Sequence, residues 1–231
     1  MLVLEFASFY WKEIKMKRPV LLLGNKRYSS WSLRGYLALK LSGLEFDETV
    51  IPLFLADTHA KIKELAPKAP ARVPLLLQDG NAIWDTMALM EYAAEISSNG
   101  PLWPEDTFAR GHARSISAEM HSGFEALRGH VPMNLSRADS GLDLPDAVVA
   151  DISRITEIWT ECRTKYAQKG PFLFGAVSMA DVAYAPVVAR LKSIGYPVDA
   201  LCHDYMDAVW NLPNFVTWRE DAEKEVWIID Q

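Results

Sequence analysis

The sequence predicts a small α/β domain over residues 19–97 followed by an all-α domain over 107–231, and three observations predict it. Strand-type and helix-type segments alternate up to residue 97. A stretch over 98–106 with Ser, Asn, Gly and Pro has the composition of a linker. Beyond it, every regular segment has helical periodicity. With 231 residues, half of them hydrophobic, the chain can bury a sizeable core in one large or two smaller domains.

Each element has its own justification. Val20-Leu21-Leu22-Leu23 is a continuous apolar run closed by Gly24 and Asn25, as in a strand covered on both faces. Lys26 to Ser30 is a polar turn. A helix follows from Trp31 with Leu33, Leu37 and Leu41 on one stripe, and Gly43 is its expected C-cap. Phe46–Ile51 is a second strand ended by Pro52, and 56–66 a short helix before Pro67 and Pro70. The runs 72–77 and 82–84 flank Asp79-Gly80, a hairpin signal. Asp85 to Ile96 is helical, and the strands are expected to pair parallel first and then antiparallel.

In the second half, Asp106 or Thr107 caps a helix expected to run through Leu127. A polar break covers 136–144, and Pro145 opens a helix expected to reach Gln168. Leu173-Phe174-Gly175 is a turn. Ser178 and Asp181 have the spacing of a capping box, with Val177 and Val182 placed as a hydrophobic staple, and open a helix to Ser193. One more helix is expected from Val198 to Asn211.

Composition narrows the function classes. A net charge of −6 argues against a nucleic-acid partner. No window approaches the ~18 apolar residues of a membrane span. Cys162 and Cys202 match no metal-ligand spacing and are too few for a disulfide framework, so no metal is expected and a reducing, cytoplasmic setting is the default. Residues 1–18 read as an N-terminal arm. It is apolar but interrupted by Glu5, without the basic start or cleavage site of a signal peptide, and Met16 offers an alternative start.

Four motifs in order carry a resemblance: Tyr28-Ser29-Ser30-Trp31-Ser32-Leu33-Arg34, Arg72-Val73-Pro74, Asp85-Thr86 and the Ser178/Asp181 box. Together with the α/β-then-helical order they resemble a cytosolic glutathione transferase from about Lys17 to Trp218, which implies a thioredoxin-like N-terminal domain. Glu119 to Phe124, Leu127-Arg128 and Pro132-Met133-Asn134 resemble a bacterial, serine-type subgroup.

The resemblance implies glutathione as co-substrate, ionised at its thiol and directed at a small apolar electrophile. Lowering a thiol pKa by two units takes about 2.7 kcal/mol. A charge-assisted hydrogen bond contributes about 1.5–3 kcal/mol and a helix N-terminus about 0.3–1, so one serine hydroxyl at the first helix start suffices. Ser29 is favoured over Ser30, and Ser32, further in, is expected to point elsewhere. From the residues alone, a plain serine N-cap is the simpler reading.

Further site residues follow from the same resemblance. Val73 pairs with the cysteinyl part of glutathione beside a cis Pro74, and Arg72 meets the glycine carboxylate, although Pro74 equally reads as a strand-start proline and Arg72 as a solvated strand-end arginine. Asp85 and Thr86 hold the γ-glutamyl end at a helix start, although Asp85 equally reads as an N-cap. Tyr36, Met120, His121, Phe124 and Met133 are candidates for the electrophile pocket, and equally for plain core. A homodimer is implied, with the face around Met87 and Met90 as a candidate contact. Two alternatives share the glutathione contacts: a zeta-like isomerase or dehalogenase, and a non-catalytic glutathione-binding regulator.

Overall fold

The computed structural model describes residues 18–138, 141–166 and 170–229. The expected N-terminal arm, apart from Arg18, and the helix end expected at Gln168 lie outside the described residues.

The first half contains β1 (Val20–Leu23), α1 (Ser30–Ser42), β2 (Asp47–Val50), α2 (Thr58–Leu65), β3 (Leu75–Gln78), β4 (Asn81–Ile83) and α3 (Thr86–Glu95). The sheet order is β2-β1-β3-β4. β1 runs parallel to β2, with Val20 opposite Asp47, and antiparallel to β3, with Leu22 opposite Leu75. β3 and β4 form the antiparallel hairpin. Successive β1 side chains enter different cores: Leu21 and Leu23 face the main one, and Leu22 packs with Ile51, Ile62 and Leu75 under α2. This alternation is why the strand is apolar throughout. Full burial of each leucine contributes about 1.5–3 kcal/mol.

The second half is helical: α4 (Thr107–Ser122), α5 (Glu125–His130), α6 (Asp146–Tyr166), α7 (Met179–Ser193), α8 (Ala200–Trp210) and α9 (Pro213–Glu223). α7 is buried from Met179 to Leu191, which explains its all-round apolar sequence. It packs against α1 and α4. The Arg34 Nε–H donates to the Ala183 carbonyl at 2.8 Å, and the Tyr184 hydroxyl donates to the Ile116 carbonyl at 3.1 Å.

Two expectations change. The helix predicted to reach Leu127 ends at Ser122, and a new one starts at Glu125. Between them Phe124 takes a left-handed conformation (φ 57°) with its ring buried in the core. The Arg128 Nη1–H donates to the Gly123 carbonyl at 3.1 Å, satisfying the end of α4. Packing of Phe124 and capping by Arg128 thus outweigh helix continuity. Secondly, the chain does not end its helices near Asn211: Pro213 stands at the first position of α9.

Candidate functional site

The start of α1 is held from several directions. The Ser29 N–H donates to the Asn25 carbonyl at 2.8 Å, closing the turn after β1. The Glu225 carboxylate, beyond α9, accepts the backbone N–H groups of Lys26 (2.6 Å) and Arg27 (3.0 Å). The Trp218 indole N–H donates to the Lys26 carbonyl at 2.8 Å. Below the turn, the Lys26 ammonium lies 2.6 Å from Glu48 and 2.8 Å from Asp221. The turn is therefore clamped by the C-terminal end of the helical half.

Ser29 is the N-cap of α1, its hydroxyl accepting the Ser32 N–H at 3.3 Å. Its Oγ lies 2.8 Å from the Ser32 Oγ, which also accepts the Gly24 N–H at 2.8 Å. Ser32, expected to point elsewhere, is thus the partner of Ser29. One turn of the helix brings their side chains together. No acidic residue occupies the first turn of α1.

Opposite this helix start, the Val73–Pro74 bond is cis. A Cβ on Gly35 would lie 2.8 Å from the Pro74 Cγ, so the missing side chain lets α1 approach this segment. Asp85 is the N-cap of α3, its carboxylate accepting the Met87 N–H at 3.0 Å. Thr86 is buried beneath it.

A cleft of about 570 Å³ joins these parts. Arg72, Val73, Pro74, Asp85 and Thr86 all line it, with Pro70 and Trp84 from the same half. Trp31 of α1, His121 of α4 and Arg128 of α5 complete it. The His121 Nε2 is 3.3 Å from the Asp85 carboxylate, and its Nδ1 is 3.5 Å from the Thr86 hydroxyl. Its ring meets the Trp31 ring at 5.1 Å in an edge arrangement. His121 thereby links the helical half to the start of α3.

Other candidates fall elsewhere. Ser29 is 7 % exposed, turned toward Ser32 and absent from the cleft lining. Ser30 lines a second, adjacent cavity, where the Arg190 Nη2–H reaches its Oγ at 3.4 Å. Tyr36 is not a pocket wall: it is buried against Phe46 and Trp218. Met120 is fully buried core, and Phe124 is buried at the α4–α5 bend. Met133 borders the second cavity. Of the pair expected at a dimer contact, Met90 is buried in the chain's own core and Met87 is half-buried. Burial pushes the Cys162 thiol up to about 12 and that of Cys202 up to about 11, marking both as inert.

Sequence reasoning missed Trp31, Pro70, Trp84 and Arg128 as cleft residues. Trp31 and Trp84 stand beside the serine and Asp85-Thr86 motifs, and a large aromatic next to each helix start was the available signal. Arg128, noted in the sequence only within the subgroup resemblance, carried no signal of its place in the cleft, because only the α4–α5 bend turns it toward α1.

The chain matches the family models described as the glutathione S-transferase N-terminal domain, over residues 28–96, and C-terminal domain, over residues 118–223. It is 28 % identical to a probable maleylacetoacetate isomerase of Caenorhabditis elegans over 90 % of this chain and 96 % of that one. It is 26 % identical to glutathione S-transferase L1 of Arabidopsis thaliana over 84 % and 73 %. Among solved structures it resembles a glutathione transferase homologue from Burkholderia gl BGR1 with bound glutathione, with a TM-score of 0.65 at 22 % identity over 89 % of this chain and 97 % of that one.

Proposed function

The chain belongs to the glutathione S-transferase family, and from that premise we propose that it ionises the glutathione thiol and directs it at a small electrophile. The observation that carries this reading is the single cleft shared by Arg72, Val73, Pro74, Asp85, Thr86 and Trp31 at the start of α1. In this reading Arg72 answers the glycine carboxylate, and the Val73 backbone pairs with the cysteinyl unit as an added strand would. The Thr86 hydroxyl and the N–H groups at the start of α3 bind the γ-glutamyl carboxylate, and Asp85 answers its ammonium. His121 is then the cleft residue that glutathione meets on entering beside Asp85.

Ser29 supplies the hydrogen bond to the thiolate. Its Oγ and that of Ser32 lie 2.8 Å apart. When Ser32 donates across that contact, the Ser29 proton is released toward the sulfur without movement of heavy atoms. The thiol proton leaves to solvent, and the Ser29 hydroxyl and the start of α1 hold the thiolate. The serine is a donor, not a nucleophile.

A second reading, glutathione-dependent isomerisation, is favoured by the maleylacetoacetate isomerases among the relatives. It uses the same contacts, the thiolate adding to the substrate and leaving again. The protein acts in the cytoplasm as a homodimer in either case. Among the described residues, no helix is long and apolar enough to cross a membrane. Light scattering checks the dimer against the chain mass of 26.0 kDa. For the chemistry, thiolate absorbance of bound glutathione and a panel of haloarenes and cis-enones are measured together. Thiolate formation with turnover supports the reading; glutathione binding without thiolate at any pH up to that of free glutathione overturns it in favour of a binding protein.

A further inference from the structure

Beside the cleft lies a second cavity of about 420 Å³ that shares Trp31 and Arg128 with it. Ser30, Arg190 and Met133 are among its other walls, and Glu125, exposed, is the carboxylate among its lining residues. Two guanidinium groups, of Arg128 and Arg190, line it, and a third, of Arg34, lies against Trp31 of its wall. Arg34 and Arg128 stand 4.8 Å and 5.0 Å from the ring of Trp31, and Arg190 reaches the Ser30 hydroxyl at 3.4 Å.

These cations are poorly answered. Arg190 is 4 % exposed, and its other hydrogen bonds go to the Val131 carbonyl at 2.9 Å and the Pro186 carbonyl at 3.2 Å. Arg34 is 3 % exposed and donates to the Ala183 carbonyl, while its Nη2 is buried without a hydrogen-bond partner among the described residues. Arg128 donates to carbonyls at the end of α4. No ion pair joins any of the three to a carboxylate among the described residues. Burial first, and then the neighbouring arginines, hold Arg34 well below the usual arginine range and bring Arg190 down to about 9. Burying a charge without a counter-charge is costly, and so is crowding like charges. A bound anion removes both costs, and the forked donors of arginine suit a planar carboxylate.

We propose that this cavity is a subsite for a carboxylate carried by the electrophilic co-substrate, gripped by Arg128 and Arg190 beside the Ser30 hydroxyl, with Arg34 adding its field from behind Trp31. The preferred electrophiles are therefore small carboxylic acids, not the small apolar compounds that the resemblance implied. The proposal rests on the glutathione-transferase reading above, since it assumes that the sulfur sits at the α1 start bordering this cavity.

The test uses 4-chloro-3-nitrobenzoate and its methyl ester, which share one reacting carbon. The steady-state kcat/KM of each is compared in the unaltered protein, Arg128→Gln and Arg190→Lys. A charge-assisted hydrogen bond accounts for roughly a tenfold or larger effect. The acid-to-ester ratio is thus expected to fall at least about tenfold in Arg128→Gln and by less in Arg190→Lys, which keeps the charge. A ratio that stays fixed while both rates fall overturns the subsite and reassigns the arginines to the thiolate. Melting curves identify any variant that fails to fold, and the other variant then decides. Calorimetric binding of unreactive 3-nitrobenzoate separates the two claims. If neither compound is turned over yet 3-nitrobenzoate binds and Arg128→Gln weakens it, conjugation fails and the subsite stands. If the ester reacts as well as the acid and 3-nitrobenzoate does not bind, the subsite fails and conjugation stands.

Discussion

Among the described residues, two helix starts carry a buried serine N-cap, and they are finished in opposite ways. At α7 the Asp181 carboxylate accepts the Ser178 N–H (2.7 Å), the Ser178 hydroxyl (3.0 Å) and the Leu173 N–H (3.0 Å). The positive end of that helix is closed by the chain's own anion. At α1 no acid occupies the first turn, and among the described residues Ser29 has only Ser32 as a side-chain partner and the nearby arginines have no carboxylate partner. Within this pair, the α7 start supplies its own negative charge, whereas the α1 start, in the reading proposed above, leaves that place to the bound thiolate.

Removing the closure at α7 breaks the comparison most sharply. Asp181→Ala orphans two buried backbone N–H groups, each costing about 1–3 kcal/mol, so a total near 3 kcal/mol is expected. For a chain of this size that lowers the melting temperature by roughly 6–12 °C. Circular dichroism melts measure it, and glutathione affinity of the folded protein should be untouched. Weakened affinity without a lower melting temperature would mean that the two helix starts do not divide the roles as described.

The same carboxyl sharpens the comparison through pH. Burial pushes Asp181 up to about 6 in spite of its three donors. Its folded pKa thus exceeds the unfolded value near 3.9. Between about pH 4 and 6 the native state holds a proton that the unfolded state has lost, so stability falls as pH rises through that window. About two units correspond to at most ~2.7 kcal/mol. Melts of the unaltered protein and Asp181→Ala across pH 4–6 should converge as pH rises; parallel curves would show that the carboxyl titrates normally.

At the open end, Ser29→Ala should slow turnover about 30-fold, for a lost hydrogen bond of about 2 kcal/mol, and raise the pH at which bound glutathione ionises. As an N-cap loss it also costs about 1 kcal/mol of stability. Thiolate absorbance against pH reads the first effect and melting the second. A normal ionisation curve in Ser29→Ala, with a shifted one in Ser30→Ala, transfers the role to Ser30. The smallest effect is expected at the third helix start, where Thr86→Val removes a hydroxyl but no backbone donor. Glutathione binding by calorimetry should weaken by roughly 1 kcal/mol with kcat unchanged, because that end of the peptide is remote from the sulfur. A fall in kcat at unchanged affinity would contradict it.

By itself the sequence determined the order of elements, the sheet pairing from parallel to antiparallel, and the caps Ser29, Asp85 and Ser178 with the C-cap Gly43. Those features depend on periodicity and on residues within a turn of one another, which are local quantities. Tertiary structure alone decided how Phe124 breaks α4, how α9 and Glu225 clamp the α1 start, and how His121 meets Asp85 and Thr86. It also decided that Tyr36 is core and that Arg34, Arg128 and Arg190, 94 and 62 residues apart in order, converge around Trp31 and Ser30. A helix pattern states which face is apolar but not which neighbour that face meets. The meeting of distant charges is fixed only when the core packs, and here the same packing leaves those charges without a carboxylate partner among the described residues.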